Sequence, residues 1–264
     1  MVKKILVLTG IILAVFAGPA LAGKGEIVFV ETHVDLQATG KAVVAYAVQY
    51  RVVSGEMHGF YFKGNDRLKV SVLSKDSYAL DSANKKYKLN ITPKSGGKWD
   101  IVLAGGKGVS SGTLTYVFYF STDFARAGYL TKTTAEDGKE LVVFNWSPVQ
   151  WDEGQHQTHY TLKILTPHQL PQGIDPRAYV NENQVILTEK WVNKNFLIDY
   201  QTGPKSRLLL VFHKNNPGNM FDMRTQFYMP AQWFTISEAM AGSEVSFSPG
   251  PVQSKEKAIG WLKS

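Results

Sequence analysis

Between Lys41 and Val53 the even positions Ala42, Val44, Tyr46, Val48, Tyr50 and Val52 are all apolar, while Lys41, Gln49 and Arg51 hold odd positions. A period of two is that of a β-strand, whose successive side chains leave on opposite faces, so this stretch is a strand with one buried face. The preceding run, Glu26 to Leu36, is β-branched and aromatic, and Ala38-Thr39-Gly40 supplies a turn. A hairpin is the simplest connection between them.

The alternation recurs at Leu68, Val70 and Val72, and again at Tyr87, Leu89 and Ile91. Thr113 to Ser121 is largely apolar on both faces, which predicts a central strand. The loop before it, Ala104 to Gly112, carries Gly105, Gly106 and Gly108, which do not form GxxxxGK[ST], and no helical pattern follows; it reads as a flexible hairpin loop, not a phosphate site. From Thr122 to Lys139 the apolar rhythm stops. A second set of strand patterns then covers Glu140 to Trp146, His159 to Leu165, Gln184 to Trp191, Asn195 to Tyr200, Arg207 to His213 and Asp222 to Met229, with Pro-rich turns between, one at Pro167 to Pro176. Helical periodicity is missing over any window longer than about ten residues before the C-terminal tail. The expected fold is therefore all-β: two consecutive antiparallel β-sandwich-like domains, 24–130 and 138–235. A hydrophobic share of 44% against 19% charged residues is enough to fill such cores.

Residues 1–22 place Lys3 and Lys4 before an apolar run from Ile5 to Ala17 and end in Ala20-Leu21-Ala22. This is the pattern of a cleaved signal peptide, and the run is shorter than the ~20 residues of a membrane span. The expected product is exported, periplasmic or extracellular, with no transmembrane helix in the mature chain. Cleavage removes two lysines and takes the formal charge from +7 to +5. Basic residues form no tract of five or more, which argues against nucleic acid as a partner and allows weak attraction to anionic envelope surfaces. Without cysteine, neither thiol catalysis nor a thiolate metal site is available. No cofactor or metal is implied.

The densest group of reactive side chains is Asp152, Glu153, His156 and His159, inside the stretch Gly138 to Leu170 that also carries Trp146 and Trp151. Two carboxylates and two imidazoles would serve acid/base hydrolysis or hold a metal. Histidines three apart on a strand point to opposite faces, however, and Gly154 disfavours a helix. On the phase of Tyr160, Leu162 and Ile164, His159 should face solvent with Thr161 and Lys163, in a solvated polar loop and strand edge. His33, His58, His168 and His213 show no partner spacing, and GxSxG, HExxH and SxxK are absent. Trp146 and Trp151 would stack on a glycan if exposed, and otherwise fill the core or seal a domain junction.

His58-Gly59-Phe60-Tyr61, followed by Leu114 to Tyr119 and by Val143-Phe144-Asn145-Trp146 with Trp151, gives an order of features that resembles the exported portion of the domain-of-unknown-function 2207 family of predicted membrane proteins, over roughly residues 26 to 235. The resemblance implies the fold and the location, and no reaction. Family members have an arginine where this chain has Phe62, and they continue into membrane helices. The reading that follows is an extracytoplasmic binding or scaffolding module of the cell envelope, with a protein or envelope glycan as partner. The alternatives are a hydrolase using Asp152 to His159 and a glycan-binding module using exposed tryptophans. Two further expectations are a buried strand face at Phe60 and Phe62, and a linker from 236 ending in a short amphipathic tail whose Trp261 and lysines would touch a membrane.

Overall fold

The computed structural model describes residues 23–63 and 67–236, together with a two-residue strand at 249–250. The leader 1–22 and the amphipathic tail lie outside the described residues. In chain order the strands are β1 (Lys24–Leu36), β2 (Lys41–Ser54), β3 (Gly59–Lys63), β4 (Ser71–Val72), β5 (Tyr78–Asp81), β6 (Lys86–Pro93), β7 (Lys98–Leu103), β8 (Thr113–Asp123), β9 (Leu130–Thr134), β10 (Glu140–Trp146), β11 (His159–Gln169), β12 (Leu187–Glu189), β13 (Leu197–Thr202), β14 (Arg207–Asn215), β15 (Thr225–Pro230) and β16 (Pro249–Gly250). Two short helices, α1 (Pro176–Asn183) and α2 (Lys190–Asn195), flank β12. The protein is predominantly all-β, as the alternation requires.

The strands form two sheets. One has eleven strands in the order β13-β14-β11-β1-β2-β8-β5-β6-β7-β3, with β4 also on β8; the other has five, ordered β16-β12-β15-β10-β9. The expected split at 131–137 is not a boundary between sheets. β1 pairs in parallel with β11, from Phe29 opposite His159 to Asp35 opposite Leu165, so strands from both expected domains lie side by side. Side-chain alternation fixes which face of a strand is buried but says nothing about its neighbours, and β1 takes one neighbour from its hairpin and the other from far along the chain. The glycine loop 104–112 likewise joins strands that do not pair, and is pinned by a bridge between Met57 and Val109.

One hydrophobic core runs between the sheets and through both halves of the sequence. Tyr46 of β2 lies in its middle, stacked on Phe118 at 5.4 Å and edge-on to Phe62 at 5.1 Å. Further along, Phe227 of the small sheet is stacked between Phe144 at 5.2 Å and Phe212 of the large sheet at 5.4 Å. Each buried aromatic of this kind contributes about 1.5–3 kcal/mol of apolar transfer. The alternation in β1 changes phase at a bulge between Ile27 and Phe29, which lets both Ile27 and Val30 reach the core and turns Phe29 to the outer face.

In β3, Phe60 and Phe62 face inward and Tyr61 outward, as expected; Phe62 is buried, while Tyr61 is 67% exposed. Two expectations about the second half need correction. Pro176 starts a helix, not a turn: the Asp175 carboxylate accepts the N–H of Ala178 at 2.7 Å, and Pro176 occupies the first helical turn, where its missing N–H costs nothing. The strand expected over Gln184 to Trp191 is confined to three residues of β12, because α2 begins at Lys190.

Candidate functional site

The segment from Ser147 to Thr158 leaves the small sheet at β10 and enters the large one at β11, crossing the core on the way. Its backbone is tied down along its length. Tyr160 donates its hydroxyl to Val149 O at 3.0 Å, Met220 N–H donates to Trp151 O at 2.8 Å, and Thr158 N–H donates to Val28 O at 2.7 Å, next to the β1 bulge. Trp151 is 6% exposed and packs its ring against Tyr46, Phe60 and Phe62; Trp146, at 2%, is edge-on to Phe124 and Phe144. Stacking on a sugar needs an open ring face, and neither tryptophan has one. Both seal the junction between the sheets.

Three of the four acid/base candidates lie on this crossover, and the fourth, His159, is the first residue of β11. Asp152 and Glu153 are exposed, with the Glu153 carboxyl turned toward the Tyr50 hydroxyl; partial burial first, and the charge of Asp152 second, push Glu153 above the usual carboxylate range. His156 is exposed and lies near Glu26, which is held low chiefly by a 2.7 Å hydrogen bond from Arg51. His159 belongs to a different set of neighbours on the outer face of the large sheet. Among the described residues no three His, Asp or Glu side chains are grouped so as to hold a metal ion.

On that outer face the odd positions of β1, β11 and β14 come together. His159 is stacked on Phe29 at 5.1 Å and on His213 at 5.4 Å. Its Nε2 lies 3.7 Å from Glu31 Oε1, and Lys163 Nζ is 3.1 Å from Glu31 Oε2. These two neighbours, His159 first and Lys163 next, bring the Glu31 carboxyl down to about 2 against an opposing cost of burial. At 3.7 Å the His159 contact is longer than a normal hydrogen bond, so Lys163 is the partner that persists when the imidazole is neutral. Burial holds both His33 and His213 below the ordinary histidine value. Thr161 was expected in solvent with His159 and Lys163; it is 2% exposed, because His213 covers it. His33 and His213 look scattered in the sequence and become neighbours of His159 only through the pairing of β11 with β1 and β14.

Asn215 Oδ1 can only accept, so His213 donates from Nε2 at 2.9 Å, and its Nδ1 accepts the Thr161 hydroxyl at 2.8 Å. A hydroxyl, an imidazole and an amide in this order are the parts of an activated nucleophile. Here they are structural. Thr161 sits mid-strand and buried, and the backbone N–H groups around it are engaged in the ladders to β1 and β14, so none remains for an oxyanion. Nearby charges are neutralised in the same way: Arg207 donates to Asp35 at 2.7 Å and to the carbonyls of Thr166 and Leu36, each at 2.7 Å, and Arg177 pairs with Asp199. A cleft of 1260 Å³ lies elsewhere, between the β9–β10 hairpin and the stretch from α1 to β12, and none of the 152–159 candidates lines it.

The chain matches no family model and no curated protein.

Proposed function

We propose that this chain is an extracytoplasmic binding or scaffolding module of the cell envelope, with the outer face of the eleven-stranded sheet as its working surface. The observation that carries this reading is the breadth of that face: ten strands side by side, with polar, basic and aromatic side chains on its outer positions and, among the described residues, no group of three His, Asp or Glu able to hold a metal ion. Binding by a preformed sheet face needs no cleft and no cofactor. The composition of residues 1–22 and the resemblance to an exported family support the location. No helix among the described residues is long and apolar enough to cross a membrane.

Expression from the full coding sequence, followed by fractionation and N-terminal sequencing, tests the location: recovery outside the cytoplasm with Gly23 as the first residue is expected, and recovery of an unprocessed cytoplasmic chain would end the reading. Binding is tested by retention of the purified chain on isolated envelope fractions. The triple variant D152N/E153Q/H156A should be retained as well as the parent, since a module that works through a sheet face has no use for acid/base groups on the crossover.

A further inference from the structure

We infer that the outer face of the wing formed by β5, β6, β7 and β3 is a docking surface for a membrane rich in anionic phospholipid. This rests on the reading of the chain as an envelope-binding module and names its partner. The register of the wing decides which side chains share the face. Leu89 opposite Leu103, Ile91 opposite Ile101 and Phe60 opposite Ile101 turn inward, so Lys86, Lys88, Asn90 and Thr92 of β6, Lys98 and Asp100 of β7, and Tyr61 and Lys63 of β3 turn outward. Lys63 stands directly opposite Lys98 at the edge, and Lys94 closes the β6–β7 hairpin beside them. Five lysines thus share a face whose only carboxylate among the described residues is Asp100, and that one is 3.5 Å from Lys94. Like charges on paired positions repel, so the arrangement weakens the isolated wing and suits an anionic partner.

The wing is also where the chain's positive charge collects. Residues 59–103, which include all four of its strands, hold 9 basic and 4 acidic side chains, against 9 and 8 in residues 138–235. The shape selects the occupant. Lys86 and Lys88 are separated from Lys94 and Lys98 by the neutral Asn90 and Thr92, a run of roughly 20 Å along β6. A polymer needs a continuous track between its contacts, whereas fluid headgroups redistribute beneath separated charges. Two tyrosines complete the surface. Tyr61 projects from β3 at 67% exposure, the amphipathic ring favoured at a headgroup layer, and Lys86 caps the ring of Tyr78 at 4.1 Å.

The test uses the full chain, sedimented with vesicles of phosphatidylglycerol and phosphatidylethanolamine or of phosphatidylcholine alone. Binding to the anionic vesicles, weakened by salt and missing on phosphatidylcholine, is expected. A lysine near such a surface is worth about fivefold in affinity, so K63Q/K86Q/K88Q/K98Q should lose on the order of a hundredfold or more, while the four Lys→Arg replacements at the same sites retain binding. The control K139Q/K190Q/K194Q/K205Q removes the same charge from the other half of the chain and should bind within a few fold of the parent. Equal losses in the two Gln variants would reduce the effect to net charge and overturn the inference, as would no loss in the wing variant. Retention on beads carrying an anionic polysaccharide but not on vesicles would assign the face to a glycan and overturn it too. If envelope membranes hold parent and wing variant alike, the wing is wrong and the binding-module reading stands; if they hold neither, both fail.

Discussion

The two ends of the large sheet treat charge in opposite ways. On the outer face of β13, β14, β11 and β1, Glu31 meets Lys163, Asp35 meets Arg207, and Asp199 meets Arg177. On the outer face of β6, β7 and β3, Lys63, Lys86, Lys88 and Lys98 face solvent with no carboxylate at ion-pair distance among the described residues. Paired charges that are half-buried have been withdrawn from outside partners and serve to fix strands; removing one member leaves the other desolvated and alone. Unpaired exposed lysines do little for the fold and remain available. The same residue types therefore read as structure at one end and as surface at the other.

Substitutions can break this contrast, beginning with the largest effect. Phe62→Ala removes the inward anchor of the wing, a side chain 2% exposed against Tyr46, Phe118 and Trp151, and should cost about 3 to 5 kcal/mol in chemical denaturation. Phe60, half-buried beside it, should fall at the lower end of that range. A wing that unfolded separately, giving a second transition in the melt, would show that it is not part of the common core. Arg207→Ala should cost about 2 to 4 kcal/mol, because three carbonyls and Asp35 lose one donor group that is 13% exposed; a change below ~0.5 kcal/mol would mean the paired end is no more structural than the wing.

Acid titration sharpens the comparison next. Glu31 is lowered from 4.5 to about 2 in the folded chain, so its contribution is complete above pH 4.5 and is lost as the pH falls toward 2. With the side chain 37% exposed, solvent screening leaves roughly 1–2 kcal/mol of this. His33 and His213 are depressed below 6.5, so their share is present above pH 6.5 and is lost as the pH drops below it. Denaturation midpoints measured from pH 7 to pH 2 should fall in these two stages, and Glu31→Gln should flatten the lower one. The smallest effect belongs to the wing lysines, where each Lys→Gln should change stability by less than ~0.5 kcal/mol. A larger loss on replacing Lys88 would show a structural partner there.

Local features of the fold are legible in the sequence where one face is dry. The six even positions of β2 and the inward Leu114, Tyr116, Phe118 and Phe120 of β8 announce both strands and their buried sides, and β8 does lie in the sheet's interior between β2 and β5. Pairing over long separations is not written in alternation, which is why the halves looked like separate sandwiches. The site suffers the same limit. Glu31, His33 and Asp35 alternate with buried Val30, Thr32, Val34 and Leu36, a polar row on an otherwise apolar strand, and that row is the signal that would have directed attention to β1. Its partners on β11 and β14 follow only from the parallel register. Helix α1 is legible in the Asp175-Pro176 cap, although the same pair of residues is also common in turns.

The parallel register of β1 and β11 also sets an order of events. Phe29 and His159 are partners across 130 residues, so a chain made from its N-terminus can close the β1–β2 hairpin early, yet β1 keeps its other edge bare until β11 has been synthesised. At 5 to 20 residues per second that interval is on the order of ten seconds. Through it, an apolar strand offers an unpaired row of backbone donors and acceptors to any neighbour, including the same strand of another copy. Folding of this chain is thus a matter of guarding one edge until its distant mate arrives, and conditions that slow elongation should raise aggregation before they alter the stability of the finished protein.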